Sequence, residues 1–323
     1  MSSITKHIIC LTPVYNDWES FSMLISNIEK TVSKSNYTVQ VVVVNDGSLE
    51  EFQGINNNQT AIEILDLKTN IGHQRAIAVG LQYINDNKND FDYVIVLDSD
   101  GEDRPEDILK LIKKCETVNN NKIIFAQRNK RQESLTFRIG YYFYKIIFNW
   151  LTGQTINFGN FSCIPHKLVK RVAIQDNLWN HYSGSIIQSK TPFDKVLLDR
   201  GKRYAGTSKM NFTNLVLHGL SSISVYFDSL SVRILKLSIY GIFACLLSVL
   251  VILYKKFITG TAIPGWASSL LFVIFSIILQ LSSVTLIVLL MQLSSRKNIK
   301  SPSVTVYKDF VEKINYISNG KSN

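Results

Sequence analysis

Within Leu97–Glu106 the chain reads Leu-Asp-Ser-Asp-Gly-Glu-Asp-Arg-Pro-Glu, so Asp98, Asp100, Glu102 and Asp103 crowd into six positions. Four carboxylates this close repel one another unless a cation lies among them. Carboxylate oxygens completed by phosphate oxygens are the shell that Mg²⁺ or Mn²⁺ accepts. The spacing is not that of an EF-hand loop. An acidic helix start, with Pro105 in the first turn, accounts for Glu106 and Asp107 but poorly for Asp98 and Asp100, which precede the helix. Two other runs carry polar chemistry. In Thr12-Pro13-Val14-Tyr15-Asn16-Asp17, Tyr15 can flank a flat base and Asp17 can accept hydrogen bonds from it. In Val44-Asn45-Asp46-Gly47-Ser48, Gly47 permits a sharp turn and Asp46 can point from a strand end. Taken alone, these two runs are equally ordinary loop and cap chemistry.

Each run directly follows an apolar, β-branched stretch. Ile8–Thr12, Val39–Val44, Ile62–Leu67, Tyr93–Leu97 and Ile123–Ala126 are bounded by polar or turn residues. Helix-length patterns, Trp18–Val32, His73–Ile84 and Pro105–Thr117, separate them. Continuous apolar strands alternating with helices predict an α/β fold with a buried, mostly parallel sheet. Such sheets bind ligands at the carboxyl ends of their strands, where all three runs fall.

The last third has a different character. Leu237–Tyr254 and Phe257–Ser295 contain no charged residue, and both are long enough to cross a bilayer. Arg233 and Lys236 precede the first stretch; Arg296, Lys297 and Lys300 follow the second; Lys255 and Lys256 lie between. The excess on the outer flanks predicts an inner-membrane, multi-pass chain with both termini and the catalytic part in the cytoplasm. Upstream, Phe212, Val216, Leu220, Ile223, Phe227, Leu230 and Ile234 recur at steps of four and three, a one-sided helical stripe suited to a membrane interface or to a soluble core. The expected organisation is a catalytic domain over 1–210, an amphipathic interfacial helix over 211–235, a transmembrane hairpin over 236–295 and a cytoplasmic tail over 296–323.

The 323 residues carry 35 Lys and Arg against 25 Asp and Glu, a net charge of +10. Mean hydropathy is +0.09. The excess suits an anionic partner, but the basic residues are scattered and several flank the apolar stretches, which argues against nucleic acid. Cys10, Cys115, Cys163 and Cys245 form no C-x-x-C pair, so a zinc ribbon or a dense disulfide framework is not expected. The opening apolar run, Ile8–Leu11, is too short for a signal peptide.

Taken in order, Pro13–Asp17, Asn45–Ser48, Asn70-Ile71-Gly72-His73-Gln74 and Asp98–Asp100 resemble the signature of family-2 glycosyltransferases with the GT-A fold. The match is nearest to polyprenyl-phosphate sugar synthases, similar to dolichol-phosphate mannose synthase, which tend to carry a C-terminal membrane hairpin. Pro264-Gly265-Trp266 resembles the same subgroup.

The resemblance implies a UDP- or GDP-linked sugar donor, a lipid phosphate acceptor, a divalent ion and room for a homo-oligomer. By the same likeness Pro13, Tyr15, Asp17 and Asp46 line the nucleotide pocket with Asp98. Asp98, Asp100 and Glu102 hold the metal. Arg128, with Arg131 nearby, stands near the reaction centre, and Lys209 of Gly206-Thr207-Ser208-Lys209 touches phosphate. On the acceptor side the sequence departs from the family, with Asn160 in place of the usual carboxylate and Ser162 in place of the usual arginine. An amide cannot act as a base. A sugar hydroxyl needs one, whereas a phosphomonoester is already largely anionic near neutral pH. Asp103, Glu133, His73 and His181 are the other candidates for a base. Two rival functions are transfer to a hydroxyl of a lipid-linked saccharide, and a non-catalytic membrane scaffold with a degenerate site.

Overall fold

The five apolar runs become parallel-sheet strands in a computed structural model of the protein. The structure describes residues 5–33, 35–54, 60–128, 146, 148–150, 152–153, 158–205, 221, 223–260, 265–297, 305–318 and 321–322. In chain order the first elements are β1 (Lys6–Val14), α1 (Trp18–Val32), β2 (Tyr37–Asn45), β3 (Ala61–Leu67), α2 (His73–Asn87) and β4 (Tyr93–Val96). A 3₁₀ turn (Pro105–Asp107), α3 (Ile108–Thr117), β5 (Ile123–Arg128), β6 (Ser162–Pro165), α4 (His166–Ala173), α5 (Tyr182–Gln188) and β7 (Phe193–Leu198) follow. Beyond them lie α6 (Phe227–Phe257), α7 (Trp266–Lys297), β8 (Val311–Ser318) and β9 (Lys321–Ser322).

The sheet order is β7-β5-β6-β4-β1-β2-β3-β8-β9. β1 pairs in parallel with β2 and β4, and β2 with β3. β6 runs antiparallel to β4 and β5, and β8 antiparallel to β3. Alternation along each strand divides the core between two faces. Ile9, Leu11, Val42, Val44, Val94 and Val96 pack on one face with α2. Ile8, Cys10, Val41, Val43, Tyr93 and Ile95 pack on the other with α1 and α3. Phe21, Leu24, Ile25 and Ile28 of α1 are buried at helical spacing, as the sequence pattern predicts. The acidic run therefore follows β4, which lies beside β1, and the Asp46 turn follows β2 on β1's other side.

The chain divides into two compact units. One comprises Met1–Ile139, Ile156–Val225 and Pro302–Asn323; the other comprises Gly140–Thr155 and Tyr226–Ser301. In the second unit α6 and α7 pack on each other, with Gln292 Nε2 donating to Asp228 Oδ1 at 2.7 Å. Both are long and apolar enough to cross a membrane, with mean hydropathies of 2.4 and 2.5, and almost none of either apolar stretch is buried. Exposed Tyr240, Phe243, Leu250, Phe272 and Phe275 would be costly in water. Residues 227–235, expected in a separate interfacial helix, are continuous with the first apolar helix. Residues 211–220 of that expected helix lie outside the described residues.

The segment after α7 differs from the expected tail, because β8 returns to the sheet and covers the edge of β3. Asn315 Nδ2 donates to Asp66 Oδ2 at 2.7 Å, and the Tyr307 amide donates to Gln82 Oε1 at 3.1 Å. The Tyr307 hydroxyl donates to Asp86 Oδ2 at 2.8 Å, and Lys308 Nζ lies 2.9 Å from the same oxygen. Lys308 and Tyr307 hold the Asp86 carboxyl below its ordinary range. For an acid whose pKa is lower folded than unfolded, stability is present above the unfolded value and lost as pH falls through the folded one. Acidification below about pH 4 is therefore expected to loosen residues 306–309 before the sheet centre. Hydrogen exchange of the Tyr307 amide across pH 3 to 6 checks this. Asp86→Asn should flatten the dependence.

Candidate active site

Three loops meet the carboxyl ends of β1, β2 and β4, and hydrogen bonds fasten them together. After β1, Asn16 adopts the left-handed conformation, and its backbone amide donates to Ser48 Oγ at 2.9 Å. The Leu49 amide donates in return to Asn16 Oδ1 at 2.9 Å. Pro13 is in register with Val44, Tyr15 is exposed, and Asp17 precedes α1. Tyr15 and Asp17 thus stand on the loop that Ser48 braces.

Asp46 is buried beneath this surface. Its Oδ1 accepts from the Ile71 amide at 2.8 Å and its Oδ2 from the Gly72 amide at 3.0 Å. Burial pushes its carboxyl upward, partly offset by those two amides. Gly47 has a φ of +69° and no room for a Cβ, which would meet the Asn70 nitrogen at 2.6 Å. The family resemblance implies Asp46 in the nucleotide pocket; in the structure its side chain clasps the turn that starts α2. Asp46→Ala would leave two half-buried amides without their acceptor and should cost about 1 kcal/mol or more, read by thermal unfolding.

That turn delivers His73 to the acidic loop. His73 Nε2 is 3.1 Å from Asp98 Oδ1 and 3.1 Å from Asn160 Nδ2. Gln74 Oε1 accepts from the Tyr182 amide at 2.7 Å, which turns Gln74 Nε2 toward Asn160 Oδ1 at 3.2 Å. A backbone group thus sets the orientation of the Asn160 amide. His73 Nε2 faces a donor amide and an acceptor carboxylate, and one ring nitrogen can serve only one of them at a time. Desolvation opposes protonation of His73, and the nearby Asp98 charge outweighs it, so its pKa is raised.

In the acidic loop, Asp103 is buried and its Oδ2 accepts from the Asp98 amide at 3.0 Å, an internal brace. Asp100 Oδ1 accepts from the Glu102 amide at 3.0 Å. Asp100 Oδ2 lies 2.6 Å from Arg203 Nη2, and Glu102 Oε2 pairs with Arg200. Burial and the neighbouring Asp98 charge raise the Asp100 carboxyl's pKa. A loop whose carboxylates already attract two guanidinium groups has the chemistry of a cation site. Among the described residues no three Asp, Glu, His or Cys side chains come together as a set that could hold a metal ion by themselves, so phosphate oxygens would have to complete the shell. An all-oxygen set left open fits a divalent ion that shares its shell with phosphates, as Mg²⁺ and Mn²⁺ do.

On the acceptor side, Ser162 is fully buried in β6, its hydroxyl donating to Asn160 O at 2.9 Å and lying 2.7 Å from the Tyr182 hydroxyl. It faces protein, not an open surface. Asn160 is partly exposed beside His73. Arg128 ends β5 in register with Leu198, and nothing further is described of its side chain. Arg131, Glu133 and Lys209 lie outside the described residues. His181 is buried and caps α5 through Nδ1, which accepts from the Gly184 amide, so it is structural.

Arg200 and Arg203 were not expected at the site, and Gln74, within the Asn70–Gln74 run that resembles the family, had no role assigned to it. Asp199-Arg200-Gly201-Lys202-Arg203 is visible as a basic run, but its place depends on β7, whose mixed sequence gives no clear strand signal.

A mixed, mostly parallel sheet with an acidic loop after its fourth strand defines a GT-A glycosyltransferase fold. Residues 9–177, just over half the chain, match the family described as Glycosyl transferase family 2, and the protein belongs to that family. A bactoprenol glucosyl transferase of Shigella phage SfX is 27% identical over 67% of this chain and 72% of its own. An undecaprenyl-phosphate 4-deoxy-4-formamido-L-arabinose transferase of Photorhabdus laumondii is 23% identical over 84% and 83%. Among solved structures, glucosyl-3-phosphoglycerate synthase from Mycobacterium tuberculosis, crystallised with Mn²⁺ and UDP-glucose, superposes with a TM-score of 0.50. It covers 70% of this chain and 80% of its own at 12% identity, a likeness of fold alone.

Proposed function

We propose that the protein transfers a sugar from a nucleoside diphosphate sugar to a polyprenyl phosphate at the cytoplasmic membrane surface. The observation that carries the acceptor is Asn160, an amide held by Gln74 and His73 beside the acidic loop. A lipid phosphate brings its own anionic nucleophile and needs no base there. The printed activities of the bactoprenol and undecaprenyl-phosphate relatives support the same acceptor class.

On this reading Asp98, Asp100 and Glu102 hold Mg²⁺ or Mn²⁺, which supplies Lewis-acid stabilisation of the leaving diphosphate. The Pro13–Asp17 loop takes the nucleotide, with Tyr15 against the base. Asp46 and Asp103 keep the turns that carry His73 and Asp98 in place. Arg128, Arg131 and Lys209 supply positive charge toward phosphate groups. The acceptor oxygen attacks the anomeric carbon opposite the departing diphosphate and inverts it.

The pairing of β8 with β3 supports the topology. The chain leaves the α/β unit before α6 and rejoins the same sheet after α7, so the hairpin crosses an even number of times. With the positive charge excess on its outer flanks, both termini and the catalytic unit lie in the cytoplasm. The proposed organisation keeps a transmembrane hairpin between a catalytic domain and its last two strands.

Detergent-solubilised protein should convert labelled UDP- or GDP-sugars, with Mn²⁺ or Mg²⁺, to a lipid product cleaved by mild acid, as a sugar phosphodiester is. An acid-stable lipid glycoside would instead indicate a hydroxyl acceptor, with His73 placed to serve as base. Failure with every common donor would refute both.

A further inference from the structure

The loop after β7 is fixed to the acidic loop by its backbone. The Tyr204 amide donates to Asp100 O at 2.8 Å, and the Gly201 amide to Glu102 O at 2.9 Å. A Cβ on Gly201 would stand 2.2 Å from Gly101 O, and one on Gly101 would stand 2.7 Å from the Tyr204 ring. The two backbones are in contact, with no room for a side chain at either glycine.

From this platform Arg203 and Arg200 reach Asp100 and Glu102. Asp100 Oδ1 already accepts from the Glu102 amide, which directs it into the loop, and Arg203 stands on Oδ2, the outward oxygen of the same carboxylate, at 2.6 Å. A divalent ion needs that oxygen at about 2.0–2.2 Å, which a guanidinium on the same lone pairs obstructs. Ion and arginine compete for one atom.

We propose that Arg203, assisted by Arg200, is a donor-positioning residue with two successive partners: the acidic loop before metal binds, and the donor diphosphate afterwards. This rests on the acidic loop being the metal site. The backbone contacts keep the displaced guanidiniums within a side-chain length of the ion. A diphosphate held by that ion presents paired oxygens suited to a guanidinium fork. Metal alone evicts Arg203 and leaves two cations close together. Metal with diphosphate gives the arginine a new anion. Metal and donor therefore bind cooperatively, each favouring the state the other needs.

Titration of the detergent-purified full chain with Mn²⁺, followed by electron paramagnetic resonance of the free ion, tests this with and without UDP or GDP. Arg203→Gln should bind Mn²⁺ alone roughly fivefold more tightly than wild type, because a competitor is gone. With nucleoside diphosphate present the same variant should bind Mn²⁺ roughly tenfold more weakly. Arg203→Lys, which keeps the charge, should resemble wild type with metal alone and weaken only with nucleotide. Lys202→Gln, an equal charge change on an exposed neighbour, should alter neither. Tighter binding in both conditions would mean that Arg203 merely repels the ion, and no change in either would make it a bystander; both overturn the proposal. A wild type that takes up no Mn²⁺ even with nucleotide would refute the metal site itself.

Discussion

Asp100→Ala is expected to lower sugar transfer by about 10²–10³-fold while leaving the fold intact. Asp100 Oδ2 is a ligand of the proposed cation, and its partner in this structure, Arg203, is a side chain that can move. Its Oδ1 bond to the Glu102 amide is local to the loop. The substitution therefore removes a ligand without emptying the core. Transfer assayed at saturating donor and metal, beside thermal unfolding of the same sample, separates lost chemistry from lost structure. A variant that melts like the wild type and transfers at the wild-type rate would show that the acidic loop is not the metal site.

Tyr307→Ala carries the largest expected cost in stability. The side chain is buried beyond the second apolar helix, meets the Tyr83 ring edge-on at 5.7 Å, and bonds through its hydroxyl to Asn87 and Asp86. Its loss should cost about 3–5 kcal/mol, the range for truncating a buried aromatic. The β3 edge would then lose the segment that leads into β8, exposing a template for aggregation. A fall of roughly 10 °C in the unfolding midpoint of the catalytic unit is the expected reading. An unchanged midpoint would mean that the segment after α7 contributes little to that unit.

The centre of the fold is legible in the sequence because buried parallel strands have a simple signature. Ile8–Leu11, Val41–Val44 and Tyr93–Leu97 are continuous apolar runs, since both of their faces are covered. The edges lack this signature. In β8, which only the two-residue β9 flanks on its outer side, Val311, Ile314 and Ile317 are interrupted by Glu312, Lys313 and Asn315, because a strand near the edge half faces water. At the other edge β7 mixes Asp194 and Lys195 with its apolar positions, and β6, although interior, is only four residues long. Where those strands were not recognisable, the loops they carry could not be placed, and Arg200 and Arg203 went unassigned for that reason.

The candidate site was legible where chemistry is concentrated in sequence and opaque where it is assembled in space. Asp98 and Asp100 announce themselves by mutual repulsion. The partners that tune them, His73 and Arg203, are 25 and 103 residues distant from Asp98 and Asp100 respectively. Asp46 shows a further limit. A carboxylate after a strand reads as a ligand, and only the structure reveals two backbone amides already on it. Ser162 behaves alike, its hydroxyl turned inward to Tyr182.

The claim on which the rest depends is that the acceptor's own phosphate is the nucleophile, so that an amide suffices at Asn160. The most direct measurement compares undecaprenyl phosphate with undecaprenol, at equal concentration in the same detergent, as acceptors for labelled nucleotide sugar with Mn²⁺. The expected result is transfer to the phosphate, abolished in Asp100→Ala, and none to the alcohol. Equal transfer to the alcohol, or transfer to the alcohol alone, would contradict it.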